Sequence, residues 1–228
     1  MSKAENVILV HEAWADGSSW SKVIPLLLER GLGVTAVQLP LTSLKDDVAT
    51  VKRALALEDG PTVLVGHSYG GVVITEAGND PKVADLVYIA AFAPDVGQSV
   101  DSLGAGAKPA PMGSEVRPDA AGFLKLTEAG VKTDFAQDLS PAEKNVLFAA
   151  QAPTAAAAFG ENVSAGAWKT KPSWYLVATN DRAIQPSLER AMARNIKAKT
   201  IEVAASHVAM LARPEETANL ILEAAGRW

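Results

Sequence analysis

Val63-Leu64-Val65-Gly66-His67-Ser68-Tyr69-Gly70-Gly71-Val72-Val73-Ile74-Thr75-Glu76-Ala77 reads as a strand, a sharp turn and a helix. Val63 to Val65 is a short β-branched and aliphatic run, and Gly71 to Ala77 is helix-like. Between them sits a G-x-S-x-G string with Ser68 at its centre. Composition alone would produce such a string in about one chain in ten of this make-up, so its weight comes from the flanking elements. A tight strand-to-helix turn forces the serine into strained backbone angles. Gly66 and Gly70 remove the side chains that would collide two positions either side. The following helix turns its positive dipole end toward the hydroxyl.

The same alternation extends outward from this turn. Strands are expected at Val7–Val10, Val34–Gln38, Leu86–Ala91, Ser173–Ala178 and Thr200–Val203, several of them apolar without a break. That pattern suits parallel strands covered on both faces. Amphipathic segments lie at Trp20–Arg30, Leu44–Leu57, Gly71–Asn79 and Ser187–Asn195. A final helix opens with Pro214, Glu215 and Glu216 and carries Leu220, Ile221 and Ala224 on one face. The expected class is α/β, with a mostly parallel sheet of about six strands flanked by helices.

Residues 94–171 break the rhythm. Gly97, Gly104, Gly106, Pro109, Pro111, Gly113 and Pro118 mark Gly97–Pro118 as loop. Helices are expected at Ala120–Ala129, Pro141–Gln151 and Thr154–Phe159, and no strand. Residues 1–93 and 172–228 then form the core, and 94–171 reads as a lid inserted over it.

A serine hydroxyl needs a general base. The chain has three histidines, His11, His67 and His207. His67 adjoins Ser68 and should point to the opposite side of the turn, and His11 ends the first strand. His207, in the loop after the last strand, remains as the base. Asp181, directly after the strand containing Trp174 to Val177, is the expected partner that steadies its imidazole. Asp95, beyond the strand ending at Ala91, is the rival acid.

Composition narrows the rest. The 228 residues include no cysteine, which excludes disulfides, thiolate metal sites and thiol nucleophiles. A net charge of −5 argues against nucleic acid as a partner. Met1 to Asn6 leads into only four apolar residues before His11-Glu12, too few for a signal-peptide core. No apolar run approaches the ~18 residues of a membrane span. The expectation is a cytoplasmic protein without membrane contact. A cap helix or a sheet edge could support a homodimer, though no pattern demands one.

The order Ser68, Asp181, His207 is that of the α/β-hydrolases, which the chain resembles over nearly its full length. The segments that carry the likeness are His11-Glu12-Ala13-Trp14, Gly66-His67-Ser68-Tyr69-Gly70-Gly71, and Thr179-Asn180-Asp181-Arg182 with Ile184 and Pro186. Ser206-His207-Val208-Ala209-Met210-Leu211, followed by Pro214, completes it. The likeness is greatest to the small esterase and hydroxynitrile-lyase branch, with its plant methyl-ester hydrolases and related bacterial esterases. It implies an oxyanion hole made by the backbone N–H groups of Ala13 and Tyr69, and a cap over Pro94–Lys171. It implies no metal and no organic cofactor. Glu12 stands where the family usually has glycine, and its side chain is expected to point away from the pocket, because a carboxylate there would oppose an oxyanion. Related lyases typically carry lysine after the histidine and threonine at the first strand end. Val208 and His11 stand at those positions.

The expected function is hydrolysis of small-molecule carboxylic esters through an acyl-enzyme. A hydroxynitrile lyase, or a hydrolase-fold binding protein with little activity, is the alternative. Trp14, Tyr69, Phe92, Trp168 and Met210 are read as apolar walls of the substrate pocket, against the equal reading that they are ordinary core residues.

Overall fold

Along β1 (Asn6–Val10) four of five residues are buried, as a strand covered on both faces requires. The structure, a computed structural model, describes residues 3–227; Met1 and Ser2, the first two residues of the Met1–Asn6 stretch read above, lie outside them. After β1 come α1 (Ile24–Leu28), β2 (Gly33–Ala36), α2 (Leu44–Leu57), β3 (Thr62–His67), α3 (Gly70–Ala77) and β4 (Val83–Ile89). The middle of the chain holds α4 (Val100–Gly104), β5 (Val116–Pro118), β6 (Phe123–Leu126), α5 (Glu128–Gly130), α6 (Pro141–Ala149), β7 (Thr154–Ala155) and α7 (Ala157–Gly160). Then follow β8 (Ser173–Ala178), α8 (Pro186–Asn195), β9 (Lys199–Val203), α9 (Ala209–Ala212) and α10 (Pro214–Ala224).

Six strands form one sheet in the order β2-β1-β3-β4-β8-β9. Every pairing in it is parallel. β3 and β8, inside the sheet, are buried at every position. The edge strand β9 exposes Lys199, Thr200 and Glu202, polar groups that discourage a further strand from adding. Chain direction across the sheet reverses between β1 and β3, and the crevice at the carboxyl ends of such strands is where open α/β sheets bind ligands.

The helices follow their sequence signals. Ser43 caps α2 by accepting the Asp46 N–H at 3.1 Å, and Leu44, Val48, Val51 and Leu55 form its buried face. The helix expected over Trp20–Arg30 is shorter. Gly17–Trp20 is a 3₁₀ turn, and α1 starts only where Pro25 can occupy its first turn. Among the described residues no helix is long and apolar enough to cross a membrane.

The middle segment departs most from expectation. Val116–Pro118 and Phe123–Leu126 pair as an antiparallel hairpin, and Thr154–Ala155 adds a third strand. Strand therefore replaces the helix expected over Ala120–Ala129 and the start of the one expected over Thr154–Phe159. The cause is the turn. Asp119 Oδ1 accepts the N–H groups of Ala121 at 2.8 Å and Phe123 at 2.9 Å, and Gly122 takes φ +82°. Within the expected loop, Ser99 and Ser102 form a reciprocal capping box that starts α4. The helix expected at Pro141–Gln151 is present as α6.

Candidate active site

Ser68 leaves the end of β3 at φ +51°, a left-handed backbone that a serine holds only under constraint. The two flanking glycines explain how the turn closes. A Cβ on Gly66 would lie 2.5 Å from the Gly70 carbonyl oxygen, and one on Gly70 would lie 2.5 Å from that of Val10. The turn is held against β4 as well. Ser68 N–H donates to Ile89 O at 3.3 Å, and Phe92 N–H donates to Ser68 O at 3.1 Å.

His207 and Asp181 come from the carboxyl ends of β9 and β8. His207 Nδ1 lies 2.6 Å from Asp181 Oδ2, with both side chains buried. Asp181 Oδ1 accepts the N–H groups of Ala183 at 2.6 Å and Ile184 at 2.9 Å, so the carboxylate is fixed from two sides. Asp95 is elsewhere, paired with Lys169 at 2.6 Å. The imidazole ring lies 4.7 Å from that of His67, and His67 Nε2 is 2.8 Å from the His207 carbonyl oxygen. His207 thus stands beside the Ser68 turn. Ser68 Oγ makes no hydrogen bond to it among the described residues, and such bonds commonly tighten only with substrate bound.

Next to this group, the β1 turn presents Ala13. Neither the Ala13 nor the Tyr69 N–H donates to a protein acceptor among the described residues. Tyr69 precedes the first turn of α3, where the helix dipole favours negative charge. Trp14 takes φ +63°, and its N–H donates to Thr154 Oγ1 at 3.1 Å. His11 stays out of the site. Its Nε2 accepts the Leu39 N–H at 2.9 Å and its Nδ1 faces Glu12 O at 2.7 Å, so the proton sits on Nδ1. Burial holds its pKa below the usual histidine value. Glu12 turns into the interior, where its Oε1 accepts the Ser19 hydroxyl at 3.1 Å and its Oε2 lies 2.8 Å from His67 Nδ1. That agrees with the expected orientation away from the pocket.

The walls read from sequence are spread over several places. Trp14 and Tyr69 both pack edge-on against Phe159 of α7, with ring centroids 5.8 and 5.7 Å apart. Met210 is fully buried in α9, three residues after His207. Phe92 faces a groove of about 260 Å³ shared with Val100, Ile184 and Leu188. Trp168 sits where the middle segment returns to the sheet. Its Nε1–H donates to Pro94 O at 2.9 Å and Lys169 lies over its ring.

Several residues near the site carried no sequence signal. Phe135 packs on the His207 ring at 5.2 Å. Asp138 Oδ2 accepts the Ser206 N–H at 2.7 Å, and Asp134 pairs with Arg182 at 2.6 Å. The middle segment therefore grips both the histidine and the aspartate loops. No cluster of His, Asp and Glu able to hold a metal occurs among the described residues.

This arrangement is that of an α/β hydrolase, and residues 7–220 match the model of the alpha/beta hydrolase family. The chain belongs to that family. It is 27% identical to salicylic acid-binding protein 2 of Nicotiana tabacum, over 100% of both chains. It is 33% identical to the carbendazim hydrolyzing esterase of a Nocardioides species over 114 residues, which span 43% of this chain and 46% of that protein. A crystal structure of a pyrethroid hydrolase from Sphingobium faniae has the same fold, with a TM-score of 0.84 at 24% identity over 97% of both chains.

Proposed function

We propose that this protein hydrolyses carboxylic esters of small molecules through a serine acyl-enzyme. The observation that carries the reading is the 2.6 Å Asp181–His207 contact beside a serine held at positive φ, at the sheet's reversal point. Relatives named as esterases and hydrolases support it.

In this reading Ser68 Oγ attacks the ester carbonyl carbon as His207 Nε2 takes the hydroxyl proton. Asp181 fixes the Nδ1–H tautomer and stabilises the imidazolium. The tetrahedral oxygen accepts the Ala13 and Tyr69 N–H groups, donors whose individual loss typically costs ~10²–10³-fold in rate. Collapse expels the alkoxide with the proton from His207, leaving Ser68 acylated. Water, deprotonated by His207, then attacks the acyl carbon and releases the acid. Glu12 does not oppose the oxyanion, because its carboxylate is turned inward and paired with His67.

The test is nitrophenol release from short-chain nitrophenyl esters by wild type and Ser68→Ala. Loss of at least about a thousandfold in the variant, with an acyl adduct on the wild type by mass spectrometry, is the expected result. Equal rates in both proteins would overturn the reading, and cyanide release from mandelonitrile without ester cleavage would replace it.

A further inference from the structure

Glu12 and His67 lie behind the site as a second acid–imidazole pair, and neither takes part in the chemistry above. Both are fully buried. Glu12 Oε2 is 2.8 Å from His67 Nδ1, and on the other side of the same ring Nε2 is 2.8 Å from the backbone carbonyl of His207. The imidazole therefore stands between two oxygens that can only accept. A neutral ring would leave one of these 2.8 Å contacts without a donor in a dry interior, which is costly. A ring protonated at both nitrogens would suit both oxygens. The Glu12 contact lies off the N–H axis, so it acts as a charge pairing, whereas the Nε2–H bond to His207 is aligned.

We propose that Glu12 keeps His67 permanently protonated, and that the resulting imidazolium anchors and electrically tunes the catalytic His207 through its backbone carbonyl. Both are positioning residues; neither touches substrate. The kinetic part rests on the hydrolase reading above, and the charge state does not. Every group facing the pair fits. Ser19 Oγ donates to the free oxygen of Glu12. The Trp20 ring meets His67 edge-on at 6.4 Å. His11, the other imidazole nearby, is neutral and supplies no competing charge. Asp181 is engaged with the far side of His207. Burial opposes ionisation of Glu12, yet the charge and contact of His67 hold its carboxyl below its ordinary pKa. The positive end of the pair faces His207 and the negative end faces away. Its field therefore opposes positive charge on the His207 ring.

Histidine-labelled protein read by ¹⁵N NMR, together with the pH profile of nitrophenyl acetate hydrolysis, tests this. In the wild type, His67 should show two protonated ring nitrogens unchanged from pH 5 to 9. In Glu12→Gln it should lose one proton by pH 7. The acid limb of kcat/KM should then move up by about half a pH unit or more, with kcat falling more than KM changes. Ser19→Ala, a milder change that only frees Glu12, should shift the limb the same way by less. A singly protonated His67 in wild type at pH 7 overturns the proposal, and that spectrum is decisive even where Glu12→Gln does not fold. An unmoved acid limb with the spectral change present overturns the tuning role. Absence of Ser68-dependent ester cleavage would sink the hydrolase reading instead, leaving the NMR result to stand or fall alone.

Discussion

The Glu189 carboxyl is buried close enough to Asp181 to feel its charge, so the carboxylate that contacts His207 has a second buried acid near it. Glu189 Oε2 accepts the Ala178 N–H at 3.0 Å, and its Oε1 has no hydrogen-bond partner among the described residues. Burial first, and then the charge of Asp181, push the Glu189 pKa well above the usual carboxylate range. Two buried carboxylates so close resist ionising together, and Asp181 already holds three donors. Glu189 is therefore the one that favours its protonated form.

Glu189→Gln keeps a neutral acceptor for the Ala178 N–H in the same place and should leave kcat/KM within about threefold of wild type, with an unshifted pH profile. Glu189→Leu orphans the Ala178 N–H beside Asp181 and should lower kcat about tenfold or more. A Gln variant as impaired as the Leu variant would mean that Glu189 acts as an ion.

Gly70 tests the turn itself. Its missing Cβ leaves room for the Val10 and His11 carbonyl oxygens, which a Cβ would meet at 2.5 and 2.8 Å. Both obstacles are buried backbone at the carboxyl end of β1, so neither can swing aside. Gly70→Ala should destabilise by roughly 2–4 kcal/mol and abolish Ser68-dependent activity. Urea melts read the first and nitrophenyl ester turnover the second. Unchanged melts would show that β1 and β3 can separate at that point.

The parts legible from sequence were those with local causes. The Ser68 turn announced itself through Gly66 and Gly70 because steric crowding there is a matter of near neighbours. Asp181 and His207 could be placed because each follows a strand that its apolar run defines. The hairpin at Val116–Leu126 was not legible, since Phe123-Leu124-Lys125-Leu126 is too short to separate a period of two from one of 3.6. The Asp119 turn settles it only once both strands are in place. Asp138, Thr154 and Phe159 meet the site through contacts 68 or more residues apart in the chain, and nothing in the local pattern marks such pairings. Glu12 stood out only as a departure from the expected glycine, and its pairing with His67 required coordinates.

Thr154 ties the middle segment to the β1 turn. Its hydroxyl accepts the Trp14 N–H at 3.1 Å in a fully buried position, and Trp14 holds a left-handed φ next to Ala13. Thr154→Val keeps the shape and removes the acceptor. The stranded N–H should cost about 1–3 kcal/mol in stability. Release of the Trp14 turn should also lower kcat with little change in KM, because in the proposed mechanism the Ala13 N–H is needed only as charge develops on the oxyanion. A pure KM effect would place Thr154 in substrate binding instead.

Asp47 carries the last prediction, because it reaches Tyr69 from α2. Its Oδ2 accepts the Tyr69 hydroxyl at 2.8 Å and its Oδ1 accepts the Leu41 N–H at 2.8 Å. Burial outweighs both donors and raises its pKa to about 6. The folded state thus holds the Asp47 proton more tightly than the unfolded chain, whose aspartates titrate near ~3.9. The stability this gives is complete below pH ~4 and is lost as pH rises through about 6. Asp47→Asn removes the titration. Its amide cannot accept from both donors, so it should be less stable than wild type at pH 4.5. The deficit should shrink by on the order of 1–2 kcal/mol by pH 7.5, as the wild type alone loses its protonated form. Urea midpoints of both proteins at the two pH values measure the difference. Parallel pH curves would show that Asp47 is already ionised in the folded protein at pH 4.5.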